Sequence, residues 1–237
     1  MKIYAISDLH LSKSDPKPMN IFGNAWTDHW HKIRYDWRNK VNTDDVVLIP
    51  GDISWAITLE GALPDLLEIG ELPGKKILIK GNHDYWWESP TKIRNILSHN
   101  MFIIQNDFID IGEYNVCGTR GWLLPEDDRF KKDDEKIYKR ELLRLEMSLN
   151  KAVKASDKPI IVMIHYPPVN EKNSISEFVH IMKRFDVLAC VYGHLHGESL
   201  KNTMEGSIEG IDFYNVSCDY LDFSLKGITP VKRNRII

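Results

Sequence analysis

The sequence predicts an α/β fold, and three observations support this prediction. Almost uninterrupted apolar runs, such as Val46–Ile49 and Ile160–Ile164, are typical of strands buried in a parallel sheet. Segments with the apolar spacing of amphipathic helices lie elsewhere in the chain. The 237 residues are enough for one large α/β domain with a substantial core, so we expect residues 1–237 to form a single domain.

Three strands and three helices are expected in the first hundred residues. The strands are predicted at residues 2–7, 46–49 and 76–80, and the helices at residues 28–40, 59–69 and 90–99. Pro90 suits the first position of its helix, because that position needs no backbone N–H. The Trp-rich connection over residues 11–30 is longer than a usual βα loop, and long loops at strand ends are often functional.

The pattern changes in the middle of the chain. Short apolar runs at residues 101–104, 108–111 and 114–117 are separated by Asn, Asp and Gly, and they predict antiparallel hairpins. A charged surface loop at 125–134 precedes a long amphipathic helix at 135–155, with apolar residues near helical spacing at Ile137, Leu142, Leu145, Leu149 and Val153. The remaining elements are a strand at 160–164, a helix at 175–184, a strand at 187–192, and short strand-like pieces over 198–223.

The composition is that of an ordinary globular protein, with 43% hydrophobic and 27% charged residues. The formal net charge of −3 gives no electrostatic reason to expect nucleic acid or an acidic membrane as the main partner. Three widely separated cysteines form no CxxC pair, which favours a reducing compartment. Without a signal-peptide core or an apolar run long enough to cross a bilayer, we expect a cytoplasmic protein without membrane contact.

A polar stretch, Gly81-Asn82-His83-Asp84, follows the third predicted strand. An amide oxygen, an imidazole and a carboxylate so close together are costly to desolvate unless they bind something. The glycine is expected to let the backbone leave the strand in a conformation that is closed to other residues. A polar turn that caps the next helix is the alternative interpretation of this stretch on its own.

Five predicted strands each end in residues that can bind metal ions. In an open α/β sheet, ligand sites form in the crevice at the carboxyl ends of the strands, so these residues are expected to share one site. They are, in chain order, Asp8 and His10; Asp52; Asn82, His83 and Asp84; His165; and His194 and His196.

The spacing and the chemical type of these residues indicate a metal site. Asp8 and His10 are two residues apart, as are His194 and His196, so in extended chain each pair projects to one side. Carboxylate and amide oxygens with imidazole nitrogens suit Mn, Fe, Zn, Co or Ni better than Ca or Mg. No cysteine joins the set, which argues against a closed structural zinc site.

These residues resemble the motifs of the calcineurin-like metallophosphoesterases, which are D-x-H, G-D, G-N-H-D, a lone His after a strand, and G-H-x-H, in this order. The matching positions are Asp8 and His10, Gly51 and Asp52, Gly81 to Asp84, His165, and Gly193 to His196. The resemblance implies the metallo-dependent phosphatase-like fold. This fold is a four-layer αββα sandwich, with two central mixed β-sheets flanked by helices.

The resemblance also implies two divalent transition-metal ions, with Mn, Fe and Zn as candidates. The implied ligands are Asp8, His10 and His196 for one ion, Asn82, His165 and His194 for the other, and Asp52 as the bridge between them. A hydroxide held between the ions would attack phosphorus in line, while the ions neutralise charge on the phosphoryl oxygens.

His83 is implied as a catalytic residue rather than a ligand. It would face the substrate and protonate the leaving oxygen, and Asp84 would fix the orientation of its imidazole. Asn82 and His83 would help to hold the phosphate. Arg120 follows a predicted strand and could also reach a phosphate, although an ordinary surface ion pair is an equal alternative.

The remaining histidines and the tryptophans are expected to be structural. Tyr85, Trp86 and Trp87 could form a wall of the substrate pocket, but aromatic residues at a strand-to-helix junction more often belong to the core. Surface positions are expected for His29, His31, His99 and His180.

The predicted function is metal-dependent hydrolysis of a phosphate monoester or diester, on a phosphorylated small molecule or protein. One alternative is a binding scaffold of the same fold without catalysis, but such a protein should have lost ligands and none is missing. Another is a nuclease, which calls for a basic groove or a capping domain after residue 196, so nucleic acid is a possible but less favoured partner. The sequence contains no pattern that identifies the substrate, the metal or the oligomeric state.

Overall fold

A computed structural model describes residues 1–169 and 175–230 of the chain. In chain order the strands are β1 (Ile3–Ala5), β2 (Val46–Ile49), β3 (Lys75–Leu78), β4 (Met101–Ile103), β5 (Phe108–Asp110), β6 (Asn115–Thr119), β7 (Ile160–Ile164), β8 (Val187–Tyr192), β9 (Gly206–Ile208), β10 (Ile211–Asn215) and β11 (Lys226–Gly227). The helices are α1 (His29–Lys40), α2 (Leu59–Gly70), α3 (Pro90–Ile96), α4 (Asp134–Ala155) and α5 (Glu177–Arg184). Short 3-10 helices occupy Met19–Phe22, Asn24–Trp26 and Gly197–Asn202.

The strands form two mixed sheets. The first has the order β11-β1-β2-β3-β4, in which β1 to β4 are parallel and β11 is antiparallel. The second has the order β5-β6-β7-β8-β10-β9, with antiparallel strands at both edges and parallel strands between them. Because the inner strands of each sheet are parallel, their carboxyl ends lie at the same edge of the sheet.

Side chains on each strand alternate between the space separating the sheets and the helices outside. In β2, Val46 and Leu48 pack between the sheets, whereas Val47 and Ile49 pack in the core that includes residues of α1 and α2. The second sheet repeats this arrangement against α4 and α5. The chain is therefore layered as helices, sheet, sheet and helices, which confirms the predicted sandwich.

Several predicted elements are confirmed, and two assignments are wrong. The structure contains the strands at 46–49, 160–164 and 187–192 with the predicted bounds. Residues 101–103, however, do not belong to a hairpin, because β4 pairs in parallel with β3. On α4, Val153 is 43% exposed, and the buried stripe is formed by Tyr138, Glu141, Leu145, Ser148, Leu149 and Ala152.

Within the described residues, no helix combines the length and the apolar character needed to cross a bilayer. That residues 1–237 form one domain stays a prediction.

Candidate metal centre

The loops that follow β1, β2, β3, β7 and β8 meet at one edge of the two sheets. Within the first sheet, the backbone N–H of Asp8 donates to the Gly51 carbonyl at 3.0 Å, and that of His10 donates to the Asp52 carbonyl at 3.0 Å. The His194 N–H donates to the Asp8 carboxylate at 3.1 Å, which joins the second sheet to the first. These backbone bonds hold the polar strand ends together.

Two groups of possible ligands lie side by side. The carboxylate and ring nitrogens of Asp8, His10 and His196 lie within 4.8 Å of one another. Next to them, the Asn82 Oδ1 atom lies 2.7 Å from His165 Nε2 and 2.9 Å from His194 Nδ1. The structure thus places close together the residues that the resemblance assigns to each of the two ions.

Asp52 lies between the two groups. Its Oδ2 atom is 3.4 Å from His165 Nε2 in one group and 3.8 Å from His10 Nε2 in the other. Asp8, Asp52 and His165 also form a group within 4.8 Å. A carboxylate in this position faces donors on both sides, as a bridging ligand would.

Four of these residues have a left-handed backbone conformation, which side chains other than glycine rarely adopt. The φ angles are 61° for Asp8, 47° for His10, 52° for Asp52 and 75° for His194. Non-glycine residues in this region usually mark turns or functional sites. The concentration of such angles at one edge of the sheets points to the same site as the side chains do.

Two glycines allow close packing around the carboxylates. Gly81 was expected to adopt a conformation closed to other residues, but it is not among the residues with positive φ. Glycine is needed there because an added Cβ would overlap the Asp52 carboxylate and its backbone nitrogen. At Gly193 a Cβ would overlap the Asp8 carboxylate and the Ser7 hydroxyl. Both glycines therefore provide space for a predicted ligand.

Burial and neighbouring charges set the protonation of the site. Burial lowers the pKa of His194 to about 3 and that of His10 to about 4, so both imidazoles are neutral and retain a lone pair. Burial works to raise the pKa of Asp8, but the neighbouring imidazoles, first of them His196, together outweigh burial and hold that pKa well below its usual range. Burial works to lower the pKa of His196 and of His165, but the Asp8 carboxylate raises the first to about 10 and the Asp52 carboxylate raises the second to about 9. These two imidazoles would each release a proton when a metal ion binds.

The residues present suit a divalent metal ion. His10 Nδ1 and His196 Nε2 are buried, and neither has a hydrogen-bond partner in the described part of the chain. Buried polar atoms without partners are rare in folded proteins. His196 Nε2 also lies 3.2 Å from Asp8 Oδ1, so both atoms can face a common cation. Imidazole with carboxylate is a donor set of first-row transition metals.

Asp219 is a residue of the site that sequence reasoning missed. Its Oδ1 atom lies 2.8 Å from His196 Nδ1, and its Oδ2 atom accepts a hydrogen bond from the Gly197 N–H at 3.3 Å. A carboxylate on the second ring nitrogen fixes the tautomer and the direction of a ligating imidazole. The Pro50 carbonyl does the same for His165, at 2.9 Å from Nδ1. Neither partner carries a motif that would identify it.

His83 lies at the edge of the cluster and its backbone is tied to a predicted ligand. Its N–H donates to Asp52 Oδ1 at 2.8 Å, and its ring centroid is 4.5 Å from that of Trp55 and 5.7 Å from that of His10. The ring is half-buried, and burial lowers the pKa of the imidazole below its usual range. The side chain therefore borders both the ligand cluster and solvent.

The Asp84 carboxylate was expected to orient the His83 imidazole, but its hydrogen-bond partners are other groups. Its Oδ1 atom accepts hydrogen bonds from the N–H groups of Ile53 at 2.9 Å and Ser54 at 3.1 Å and from the Trp86 indole at 2.9 Å. Its Oδ2 atom accepts from the Gly81 N–H at 2.7 Å. Burial, followed by the charge of Asp52, raises the pKa of this carboxyl to about 6. Asp84 thus ties the loops after β2 and β3 together and reaches His83 through the backbone.

Aromatic rings surround the first ligand group. The Trp55 ring stacks on His10 with centroids 4.8 Å apart, and Trp26 lies 5.7 Å from His196. Tyr85 is 61% exposed near His83, whereas Trp86 and Trp87 are buried, so the expected core role applies to the two tryptophans and not to Tyr85. The prediction that His29 lies on the surface is wrong in part, because its half-buried ring contacts the Leu9 carbonyl at 2.9 Å.

A cavity of about 690 Å³ opens beside His194. The Tyr166 ring, which lines it, lies 4.1 Å from the His194 ring and 5.2 Å from that of Trp122. Acidic side chains outnumber basic ones among the lining residues, and the acids are Glu126, Asp127, Asp128 and Glu198. The cavity is large enough for an organic group attached to a phosphate at the ligand cluster.

Arg120 follows β6 and does not line this cavity, and its side chain points towards α4. Its guanidinium is 3.6 Å from the buried Glu141 carboxylate and packs 4.4 Å from the centre of the Trp122 ring. The structure thus shows the ion pair that was the alternative to a phosphate contact, although Glu141 is fully buried and only 14% of the Arg120 side chain is exposed.

Comparison with known proteins adds a family and a fold. A family model described as calcineurin-like phosphoesterase matches residues 1–198. The gene 66 protein of Mycobacterium phage L5 is 36% identical over 78 residues, a match that covers 33% of this chain and 37% of that protein. The chain therefore matches less than half of the length of that relative.

Three solved structures are similar over almost their whole length. A phosphopantetheinyl hydrolase from Mycobacterium tuberculosis has a TM-score of 0.55 and 15% identity, with 97% of this chain and 96% of that chain covered. The protein AQ665 of unknown function from Aquifex aeolicus has a TM-score of 0.52 and 16% identity, with 95% of each chain covered. The protein TT1561 of Thermus thermophilus has a TM-score of 0.51 and 14% identity, with 97% of this chain and 98% of that chain covered. At these identities the likeness shows the fold.

Proposed function

The chain belongs to the calcineurin-like phosphoesterase family, whose members are metal-dependent phosphoric ester hydrolases, and we propose that it hydrolyses phosphate monoesters or diesters with two divalent metal ions. The observation that carries this proposal is the convergence of ligand-type side chains from five strand ends on two adjacent groups. A chain that had kept only the fold would have no reason to preserve every donor of both groups. The catalytically inactive scaffold is therefore the weaker hypothesis.

In this proposal each group of donors would hold one ion, and Asp52 would serve both groups. Such ions polarise the phosphoryl group and lower the pKa of a water molecule, which supplies the nucleophile without a protein base. Asp52 is suited to the bridging position because its Oδ2 atom faces His165 on one side and His10 on the other. The identity of the ions, with Mn, Fe and Zn as candidates, depends on geometry and supply as well as on the donor set.

We assign the protonation of the leaving oxygen to His83. The ring is half-buried beside the ligands, and its backbone N–H is fixed by the Asp52 carboxylate. Asn82 and His83 would contact the phosphate from the same loop. Asp84 would position His83 through its bonds to Gly81, Ile53 and Ser54, which set the path of that loop.

The cavity beside His194 is proposed to bind the organic part of the ester. Its aromatic walls, formed by Trp122 and Tyr166, suit a flat or extended apolar group. The excess of acidic residues around it disfavours a polyanionic strand, so the nuclease alternative has little support from this surface. One similar structure is that of a phosphopantetheinyl hydrolase, so esters of extended alcohols, including phosphopantetheine, belong in the first substrate panel.

The test compares two buried aspartates at opposite ends of β2. Asp52→Asn should lower turnover of aryl phosphate monoesters and diesters by at least about a hundredfold, because a neutral amide cannot hold two cations. Elemental analysis of the same sample should show reduced metal content. A small-substrate and an oligonucleotide assay, run with each candidate metal, separate the phosphatase from the nuclease.

Asp45→Asn is the matched control. Asp45 is also buried, and it accepts hydrogen bonds from the N–H groups of Lys2 at 2.6 Å and Asn42 at 2.9 Å, at the end of β2 away from the site. This variant should lose stability but keep turnover wherever it is folded. Full activity in a folded, metal-quantified Asp52→Asn protein would refute the proposed mechanism.

A further inference from the structure

A second cavity, of about 190 Å³, lies between the two sheets and α4, and it is separate from the cavity beside His194. Its walls come from the ends of β3 and β6, the loop after β4, and one face of α4. The side chains of Lys80, Arg120 and Arg144 all line it. Three cations around so small a space need compensating negative charge.

The protein supplies less negative charge than this cluster needs. Glu141 is buried, and the same Oε1 atom lies 2.9 Å from Arg144, 3.5 Å from Arg140 and 3.6 Å from Arg120. Its Oε2 atom accepts a hydrogen bond from the Thr119 hydroxyl at 2.7 Å. One carboxylate therefore faces three guanidinium groups, of which those of Arg120 and Arg144 line the cavity, and Lys80 adds a third positive charge there.

The other acids near the cavity are already engaged. Glu88 also lines the cavity, but its carboxylate forms an ion pair with Lys92 on α3. Asp84, whose charge acts on Lys80, accepts four hydrogen bonds from two loops and an indole. Among the residues that line the cavity, Lys80, Arg120 and Arg144 still outnumber Glu88 and Glu141.

Two polar atoms in the cavity lining also lack hydrogen bonds. Arg120 Nε and Asn106 Oδ1 are buried, and neither has a partner among the described residues. Rotation of the Asn106 amide by half a turn would present its N–H₂ group at the same position, so both residues can donate. An unused buried donor, Arg120 Nε, next to excess positive charge is a feature of a site for an oxygen-rich anion.

We propose that this cavity binds a small free oxyanion of the phosphate or sulfate type, held by Arg120, Arg144, Lys80 and the Asn106 amide. The small volume favours a free ion over the phosphate of a bulky ester. The proposal concerns a different cavity from the metal centre and stands whether or not the ester hydrolysis proposed above is correct.

The test uses the zinc-loaded protein, in which the arginine Nε–H resonances can be followed by ¹⁵N–¹H NMR during titration with inorganic phosphate. The Arg120 resonance, identified by its loss in Arg120→Lys, should shift saturably, because its Nε–H gains an acceptor. A resonance that does not move while phosphate saturates the metal centre would overturn the proposal.

Two arginine variants provide the matched comparison. Arg144 and Arg140 both contact Glu141, but only Arg144 lines the cavity. Arg144→Gln should raise the phosphate dissociation constant, measured from the shift of the Arg120 resonance, at least tenfold. Arg140→Gln should change this constant no more than twofold. Equal effects of the two substitutions would show that general charge, and not a built site, causes the response.

A second titration identifies the source of the anion. Phenylphosphonate, which cannot be hydrolysed as a phosphate ester, carries the same type of oxygens on a bulky group. The concentration of phenylphosphonate that gives half of the maximal shift of the Arg120 resonance should be at least ten times that of inorganic phosphate. Equal binding of the two ligands would contradict the assignment to a free ion.

Discussion

The left-handed backbone at Asp8, His10, Asp52 and His194 has an energetic cost. Non-glycine residues in such conformations cost roughly 1–3 kcal/mol each, and they persist only where the surroundings hold them. Here the strained turns hold one another, since the Asp8 N–H donates to the loop after β2 and the Asp8 carboxylate accepts from His194. The positions of these proposed ligands are thus fixed by the fold at the expense of stability, as expected for a preorganised site.

His83 can be tested through the leaving group. A general acid matters most when the departing oxygen is strongly basic, so His83→Gln should lower turnover of alkyl phosphates by about 10²–10⁴-fold. Nitrophenyl esters, which leave without protonation, should be affected much less. The measurement is the slope of log kcat against leaving-group pKa for both proteins.

The control for this prediction is His31→Gln, which changes an exposed histidine on α1 and should leave the slope unaltered. If His83→Gln slows all esters by the same factor, the residue binds phosphate but does not protonate the leaving oxygen.

Asp219 should be important for metal affinity without contacting the metal. Asp219→Asn replaces the carboxylate on His196 Nδ1 by a neutral amide, which weakens the ligand and its orientation. We expect metal affinity to fall by about 10–100-fold, measured by competition with a chelating dye. Asp212→Asn, on the neighbouring strand β10, is the control. Unchanged affinity in Asp219→Asn would mean that the imidazole is oriented by its other contacts.

At the level of the elements, the central parallel strands were predictable because both of their faces are buried. Their sequences are therefore continuous apolar runs, and β2, β7 and β8 have the predicted bounds. The short strand β4 was misassigned because a three-residue run does not reveal the direction of its partner. Helix α3 between β3 and β4 makes a crossover connection, which is what places the two strands in parallel.

The residues proposed as metal ligands could also be identified in the sequence, since each follows a strand and most belong to a recognisable pair or motif. The supporting contacts were not. Asp219 is an isolated acid in the tail, and only the fold brings it to His196. The four partners of Asp84 come from positions 53, 54, 81 and 86, and no local pattern distinguishes them from a contact to His83.

The turn after β8 should tolerate no side chain at its first residue. Gly193→Ala places a Cβ against the Asp8 carboxylate and the Ser7 hydroxyl, so that either the turn or Asp8 must move. We expect turnover to fall at least about tenfold together with metal content, since a shift of 1 Å at a catalytic group is enough for a large loss.

Gly227→Ala is the control for this substitution, because a Cβ at that residue of β11 meets no atom within 4 Å. It should retain metal and activity. Normal metal content in Gly193→Ala would contradict the close contact seen between the turn and Asp8.

At the level of the whole molecule, the proposed ligands come from both sheets, so bound cations should stabilise the complete fold. Binding to the folded state alone, at about one hundred times the dissociation constant, adds about 2.7 kcal/mol. For a chain of this size this corresponds to an increase in Tm of roughly 5–10 °C. Differential scanning calorimetry with Mn or Zn, compared with chelator-treated protein, measures the change.

Calcium at the same ionic strength is the control, since the imidazole nitrogens suit it poorly. It should raise the Tm far less than Mn or Zn, and Asp52→Asn should lose most of the increase. Equal stabilisation by calcium would indicate non-specific binding to surface acids and contradict the assigned donor set.

The pairing of β11 with β1 also affects how the protein is made. Tyr4 lies opposite Gly227. The pairing partner of Tyr4 is therefore synthesised more than two hundred residues after it. His194 and His196 are likewise translated long after Asp8 and His10. Contacts between such distant parts of a chain form slowly, and a nascent chain exposes its apolar strands meanwhile. The complete set of proposed ligands can therefore assemble only after residue 196 has been translated and its strand has folded.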